Sequence, residues 1–538
     1  MRYLIVILWM GAILAAIAPA QEIAPVNNSA PPVAKPDPAL LRLRNQINPE
    51  FLSWSPEYVV ERCAEHLATI NPKDRARIRY FTLADVPRVY LPAAVSSLFF
   101  GVNQVARIPV TYVPRAVPHT DNRLFWVDLC WFGWTPEVWE NITLEEPYLR
   151  EPIVPSTSIG LKFLKTETKA NAIIPASWFM WYVFDNGEFI NQENAKVFNP
   201  KAFYYQLLYA NVTFEREVTE KVGNDVKKVK KKVTGVGPAT AAELEKVWHV
   251  DFNVLKDFPI DKGGLIDEGF SGVSFSNRVV WRVRTAIGVY WRTFDVFRTA
   301  GEQDFIENPF PKKFDAGEHI IQDERGAQYY FLTDGKGDAV DFANPFVVKG
   351  DPAGPHNTVL VTSRSCIHCH DSGILGFRNE HAVLQRIGAD LKIITPDRAE
   401  RFNQFFMQER RMKKLIKQDQ DNYTEFIKDA TGLTPQQNLQ NFQRYRAWYG
   451  KAVDLQQGAR ELGVSAKELE LALAIGVGTL DRPAGVTKGR LGRLVLDNHP
   501  IPRVTWERGG YAEAGLLLRE WQKRGKIGLD NGDKQSRN

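Results

Sequence analysis

The 538 residues carry 68 Lys and Arg against 63 Asp and Glu, a formal charge of +5 that is too weak to imply a nucleic-acid partner. Hydrophobic residues at 44% and aromatics at 12%, with 14 Trp and 31 Phe, point to ordinary globular folding in a large body containing β structure. Burial is not limiting at this length, which is enough for two to four domains at about 150 residues each.

The chain opens like an export signal. Arg2 supplies a positive start, Tyr3 to Ala18 is apolar and broken only by glycine, and Ala18-Pro19-Ala20 gives the small-x-small pattern of a cleavage site before Gln21. Sixteen apolar residues are short for a bilayer crossing, which takes about 20. Residues 1–20 are therefore expected to be a signal peptide, with an uncleaved anchor as the alternative. The mature protein is then periplasmic or otherwise exported in a bacterium. Residues 21–39 are rich in Pro and Ala and read as a flexible leader.

From about Leu40 to residue 350 the pattern predicts a mixed α+β body. PEYVVERCAEHLATI, from Pro56, has apolar residues three and four apart and predicts a helix. RIPVTYV (Arg107 to Val113) and RLFWVDLCWFGW (Arg123 to Trp134) read as strands. Around Gly223-Asn224-Asp225, alternating Val and charged residues predict a protruding hairpin insert near 214–236. Six lysines lie between Lys221 and Lys232. They make either a solvated hairpin, the simpler reading, or a docking patch for an acidic redox partner. Pro238 to Trp248 predicts a helix with proline in its first turn. Strands follow in VVWRVRTAIGVYWRTFDVF and EHIIQDERGAQYYFLTDGKGDAV, the latter with a turn at Asp334-Gly335-Lys336-Gly337. The pattern then turns helical, as in AERFNQFFMQERRMKKLIKQDQDNYTEFIKDA and SAKELELALAI. Residues 351–522 are thus expected to form a helical segment, and 523–538 a polar tail.

The most specific signal is Cys366-Ile367-His368-Cys369-His370. C-x-x-C-H is the attachment sequence of a c-type haem: each thiol adds to one vinyl group, and the adjoining histidine falls under the iron. Four Cys and nine His in 538 residues would produce such a run by chance roughly once in two thousand chains. A zinc knuckle needs two more ligands, and no second C-x-x-C or C-x-x-H follows at a suitable spacing. A redox dithiol belongs in a much smaller βαβ unit. Covalent haem attachment takes place outside the cytoplasm, so the export signal and this motif require each other. One haem c is therefore expected, with Cys366 and Cys369 as thioethers and His370 as proximal ligand. His368 lies between the cysteines and points away. Cys63 and Cys130 can pair in an oxidising compartment or stay as separate buried thiols.

Beyond this run the chain resembles a largely uncharacterised family of secreted bacterial monohaem c-type cytochrome proteins, which carry one late C-x-x-C-H after a large N-terminal body. The resemblance rests on Val127-Asp128-Leu129 with Gly133-Trp134, on Trp178-Phe179, and on Ser276-Asn277-Arg278-Val279 with Gly288 to Asp295. Weaker echoes are Gly317 to Ile321, Asp334 to Gly337, and Ile501 to Glu507. At Ala176 and Ser177 the chain departs from relatives, which have an arginine and an acid there. The resemblance implies a monohaem cytochrome and leaves its reaction open.

The distal ligand must come from elsewhere. Met412 lies 42 residues after His370, in the segment that best matches the family, and is the favoured candidate for the distal haem iron. Met407 is the next. On one helix the two would lie about 140° apart, so both would not reach one iron. His381 or His356, or an open site, remain alternatives, and either methionine can instead be core filler. Arg278, Arg282, Arg284 and Arg292 form a basic cluster that either meets haem propionates or pairs with carboxylates such as Asp295. The leading functional expectation is a periplasmic electron-transfer protein with a redox partner protein, its large body binding a substrate or partner. A haem enzyme with an open distal site and a haem-based sensor are the alternatives.

Overall fold

The computed structural model describes residues 54–148, 154, 157–184, 198–222, 225–250, 264–266, 277–296, 313–343, 360–377, 395–479, 491, 494 and 499–535. The expected signal and leader lie outside these residues. All described residues belong to one packing unit, Ile47–Asn538. The fold is α+β, with a four-stranded sheet, a six-stranded sheet and a separate two-stranded ribbon among the described residues.

β1 (Ile78–Thr82), β2 (Arg115–Ala116), β3 (Leu124–Asp128) and β4 (Ile173–Pro175) form the first sheet in the order β2-β3-β1-β4, with β4 parallel to β1. Successive strand residues point to opposite faces. Tyr80 and Leu124 therefore enter a small core beneath helix α1 (Pro56–Thr69), whereas Phe81, Phe125 and Val127 enter the main core. α1 begins where the sequence predicts. The Ser55 hydroxyl accepts from the Tyr58 N–H at 3.3 Å, and Val59, Val60, Cys63 and Leu67 form the buried stripe. Two expected strands are corrected. Arg107 to Val113 is irregular, since Pro109 removes a ladder donor in mid-run. The second stops at Asp128, whose carboxylate accepts from the Cys130 N–H at 2.9 Å and starts the short helix Leu129–Phe132.

α2 (Leu91–Gln104) and α3 (Ala176–Phe184) are apolar nearly all round, and nearly every residue of α3 is buried. Such helices need cover on every side. β5 (Thr213–Val222) and β6 (Asp225–Thr234) make the predicted hairpin. Its register sets Glu215 opposite Lys232, and Glu217 lies 3.7 Å from Lys228, all on exposed side chains. Lys230 and Lys232 have glutamates opposite them, whereas Lys231 faces Arg216. α4 (Ala241–Val247) starts three residues later than expected, because the Thr240 hydroxyl caps it by accepting from the Glu243 N–H.

β7 (Gly264–Ile266), β8 (Asn277–Thr285), β9 (Gly288–Val296), β10 (Ala316–Asp323), β11 (Gln328–Asp334) and β12 (Ala339–Val340) pair with sequence neighbours in an antiparallel meander. The expected turn after β11 is present: the Lys336 and Asp338 N–H groups donate to the Asp334 carboxylate, and Gly337 has φ +83°.

Helices dominate after residue 360: α5 (Arg364–Cys369), α6 (Pro396–Phe405), α7 (Glu409–Thr431), α8 (Pro435–Tyr449), α9 (Leu455–Glu461), α10 (Ala466–Thr479) and α11 (Tyr511–Gln535). α7 and α8 cover α2, and α8 also packs on α3. Arg282 of β8 pairs with Asp419 of α7. The division expected near residue 350 therefore does not separate two packing units: the apolar helices of the first half take their cover from the second. The long helix expected from residue 399 is broken between Phe405 and Glu409, which places Met407 in the break and Met412 on α7. The 140° offset argued for one helix does not apply. α11 continues through the stretch read as a polar tail.

Candidate functional site

α5 carries the C-x-x-C-H run. Its cysteines are three apart and share one helical face. Cys366 is buried and Cys369 half-buried, and none of the four cysteines forms a disulfide. Cys63 sits in the small core, where burial pushes its thiol up, whereas Cys130 is exposed. His370 closes α5, its N–H donating to the Cys366 carbonyl at 2.8 Å. Its ring is fixed on three sides. Nδ1 lies 3.2 Å from the Gly373 carbonyl, Nε2 lies 3.4 Å from Glu318 Oε1 on β10, and the Tyr330 ring of β11 stacks at 5.9 Å. Gly373 has φ +94°, and a Cβ there would lie 3.3 Å from Gln420 Cα and 3.4 Å from Tyr423 Cβ. This glycine lets the loop after His370 press onto α7, where Gln420 donates to the Ile374 carbonyl at 2.8 Å.

Glu318 links His370 to the arginine cluster. Arg278 donates to Asp295 through Nε and Nη2, at 2.6 and 3.3 Å, and to Glu318 through Nη1 at 3.1 Å. Burial pushes the Glu318 carboxyl up, but His370 and Arg278 outweigh it and lower the group to about 2. Arg282 holds Asp419, and Arg292 holds Glu245. Carboxylate pairing, the simpler of the two expectations, thus describes Arg278, Arg282 and Arg292, while Arg284 is exposed.

The donor set fits haem attachment. One helical turn presents both thiols, and the adjoining imidazole is anchored through Nδ1, which leaves Nε2 as the inward nitrogen. Among the described residues no three His, Cys, Asp or Glu gather as a metal-binding group, so the dithiol finds no additional zinc ligands there. The position beyond Nε2 is taken by Glu318 Oε1 at 3.4 Å, and a metal at that nitrogen would require the carboxylate to move. Met407 and Met412 are both buried in the main core. Met412 lies eight residues from Gln420, about 12 Å along α7. His381 and His356 fall outside the described residues. His368 faces the other way, accepting at Nε2 from Arg446 of α8 at 3.3 Å.

A second polar cluster was not singled out from sequence, although Ile501 to Glu507 carries one of the family echoes. Glu507 is buried at a kink, Trp506–Gly510, that breaks the approach to α11. Its Oε1 accepts from Tyr449 at 2.6 Å and Tyr148 at 3.3 Å, and its Oε2 from Tyr182 at 3.2 Å. Arg503 donates to Tyr148 at 3.2 Å and to Glu461 at 2.7 Å. Burial raises the Glu507 carboxyl to about 7, with the Tyr449 hydroxyl and Arg503 pulling the other way. No signal in sequence links residues this far apart, since Tyr148 and Glu507 are 359 positions from each other.

No family model, no curated protein and no solved structure matches this chain. No described helix is long and apolar enough to cross a membrane.

Proposed function

We propose that the chain is an exported monohaem c-type cytochrome that passes single electrons to a protein partner, as a soluble carrier with a large accessory body. The observation that carries this reading is the turn of α5, which offers Cys366 and Cys369 from one face with His370 anchored by Nδ1 to the Gly373 carbonyl. When bound, haem c supplies a one-electron couple whose potential depends on its axial ligands.

The chain's own residues do the rest. Cys366 and Cys369 hold the group as thioethers. The Gly373 carbonyl and the Tyr330 ring set the imidazole plane, so that Nε2 is presented in one orientation. Glu318, which pairs with both His370 and Arg278, would keep Arg278 as its partner if a metal occupied Nε2, so its charge would stay neutralised in a buried site. Met412 is the proposed sixth ligand, a buried thioether of the main core that would supply the iron with a soft donor. The exposed lysines of β6 offer a surface to an acidic redox partner.

Two measurements test this. In Cys366→Ala/Cys369→Ala the denatured protein is expected to lose haem stain; retained stain refutes the attachment. The reduced holoprotein is expected to keep its visible spectrum when carbon monoxide is added. A prompt shift means an open sixth position, and the reading then passes to peroxide or gas chemistry at the iron.

A further inference from the structure

The kink at Trp506–Gly510 does more than bury Glu507. Arg508 (ψ 20°) and Gly509 (φ +138°) leave helical geometry, so the backbone swings Arg508, Gly509 and Ala512 onto the wall of a cleft while Glu507 turns inward. The cleft has a volume of about 1290 Å³, above the roughly 300–1,000 Å³ of small-molecule pockets. It suits an oligomer better than a single small metabolite.

Its lining is mixed in a particular way. Tyr182 brings an aromatic ring backed by the buried Phe203, and Asn141 and Asn199 bring amides, while the buried Gln206 donates to the Lys201 carbonyl. Leu144, at 57% exposure, is a bare aliphatic side chain on the rim that the core does not use. Charges of both signs line it, Lys201 and Arg508 with Glu145, while Glu507 is buried behind the Tyr182 hydroxyl. An aromatic face, planar amides and charges of mixed sign match a ligand with alternating C–H faces and hydroxyls. Tyr182 is the pivot. It is half-buried, so part of it reaches the cleft, and its hydroxyl is held on Glu507 Oε2 at 3.2 Å. Behind it, Tyr449 and Tyr148 fix the other carboxylate oxygen. A phenol oriented from behind by a buried carboxyl is a preorganised contact for a hydroxylated ligand.

We propose that this cleft is a binding site for a neutral oligosaccharide, with the Tyr182 ring and hydroxyl, positioned by Glu507, as its central contact. The site is separate from the C-x-x-C-H turn and does not rest on the haem reading. It gives the large body a ligand class of its own.

The test is calorimetric titration of the purified full chain with cellohexaose, maltohexaose and chitohexaose, each up to about 10 mM. At least one sugar is expected to bind saturably. Tyr182→Phe keeps the ring and removes the hydroxyl, and is expected to weaken that binding about fivefold, the worth of one hydrogen bond. Leu144→Glu changes an exposed rim residue without touching the Glu507 network. It is expected to weaken binding several-fold with an unchanged melting temperature, and it decides the matter if Tyr182→Phe fails to fold. Absence of saturable binding by all three sugars overturns the proposal. So does affinity left unchanged by whichever of these variants fold.

Discussion

Replacing Asp419 with alanine removes the acceptor at the centre of the contact between the six-stranded sheet and α7. Arg282 donates to both carboxylate oxygens at 2.9 Å, and Trp291 Nε1 donates to Oδ2 at 2.8 Å. Both charged side chains are buried, with Asp419 at 0% exposure and Arg282 at 4%. Solvent therefore does not step in when the carboxylate goes. Removing one partner of a buried ion pair costs about 3–5 kcal/mol, because the remaining charge stays in a low-dielectric site. The indole N–H also loses its acceptor, a further term of about 1–3 kcal/mol for a buried donor. The Asp419→Ala chain is thus expected to lose at least about 3 kcal/mol. In the double variant Arg282→Met/Asp419→Leu neither charge remains. Its cost is expected to fall to about 1–3 kcal/mol, the indole term alone. Urea denaturation followed by tryptophan fluorescence, run on Arg282→Met, Asp419→Leu and the double, measures the coupling. A loss below about 1 kcal/mol for Asp419→Ala, or a double variant as damaged as the single, would refute the assignment of this pair as the joint between sheet and helix.

Three further outcomes follow from the same reasoning. Gly326 has φ +91°, and a Cβ there would lie 2.2 Å from the Asn422 carbonyl oxygen of α7, so Gly326→Ala is expected to cost at least about 2 kcal/mol in the same denaturation assay. Burial raises Asp341 from 3.8 to about 7, with the hydrogen bond from the Asn199 N–H opposing. Because the folded chain holds this proton more tightly, its stabilising share is complete below about pH 4 and is lost as pH rises to about 7, at most about 4 kcal/mol. Asp341→Asn keeps an acceptor for Asn199 and is expected to flatten stability across that window; an unchanged slope contradicts the assignment. Met412→Leu conserves core volume and should cost less than about 1.5 kcal/mol. In the holoprotein it is expected to make the reduced spectrum sensitive to carbon monoxide, and an unchanged spectrum removes Met412 as sixth ligand.

Much of the site was legible because its defining contacts close within a few residues. The C-x-x-C-H run lies within five positions, and a helical turn is enough to bring its two thiols to one face. The charged ribbon, the β8–β9 pair and the Asp334 turn were legible for the same reason: alternation, turn residues and side-chain caps act locally. Where local signals compete, the stronger one decides. Pro109 outweighed the apolar pattern around it, and the Asp128 and Thr240 caps moved boundaries that hydrophobicity alone had set elsewhere. The partners of the site were beyond reach of any local pattern. Only tertiary packing brings Glu318 against His370, sets Asp419 on Arg282 across 137 positions, and gathers Tyr148, Tyr182 and Tyr449 around one carboxyl. It likewise folds the late helices over α2 and α3, erasing the division expected near residue 350. The motif by itself determined which donors one helical turn presents, two thiols and the adjoining imidazole. Which buried charge meets which partner depends on chain segments meeting in space, and the residues concerned give no sign of it in their own neighbourhoods.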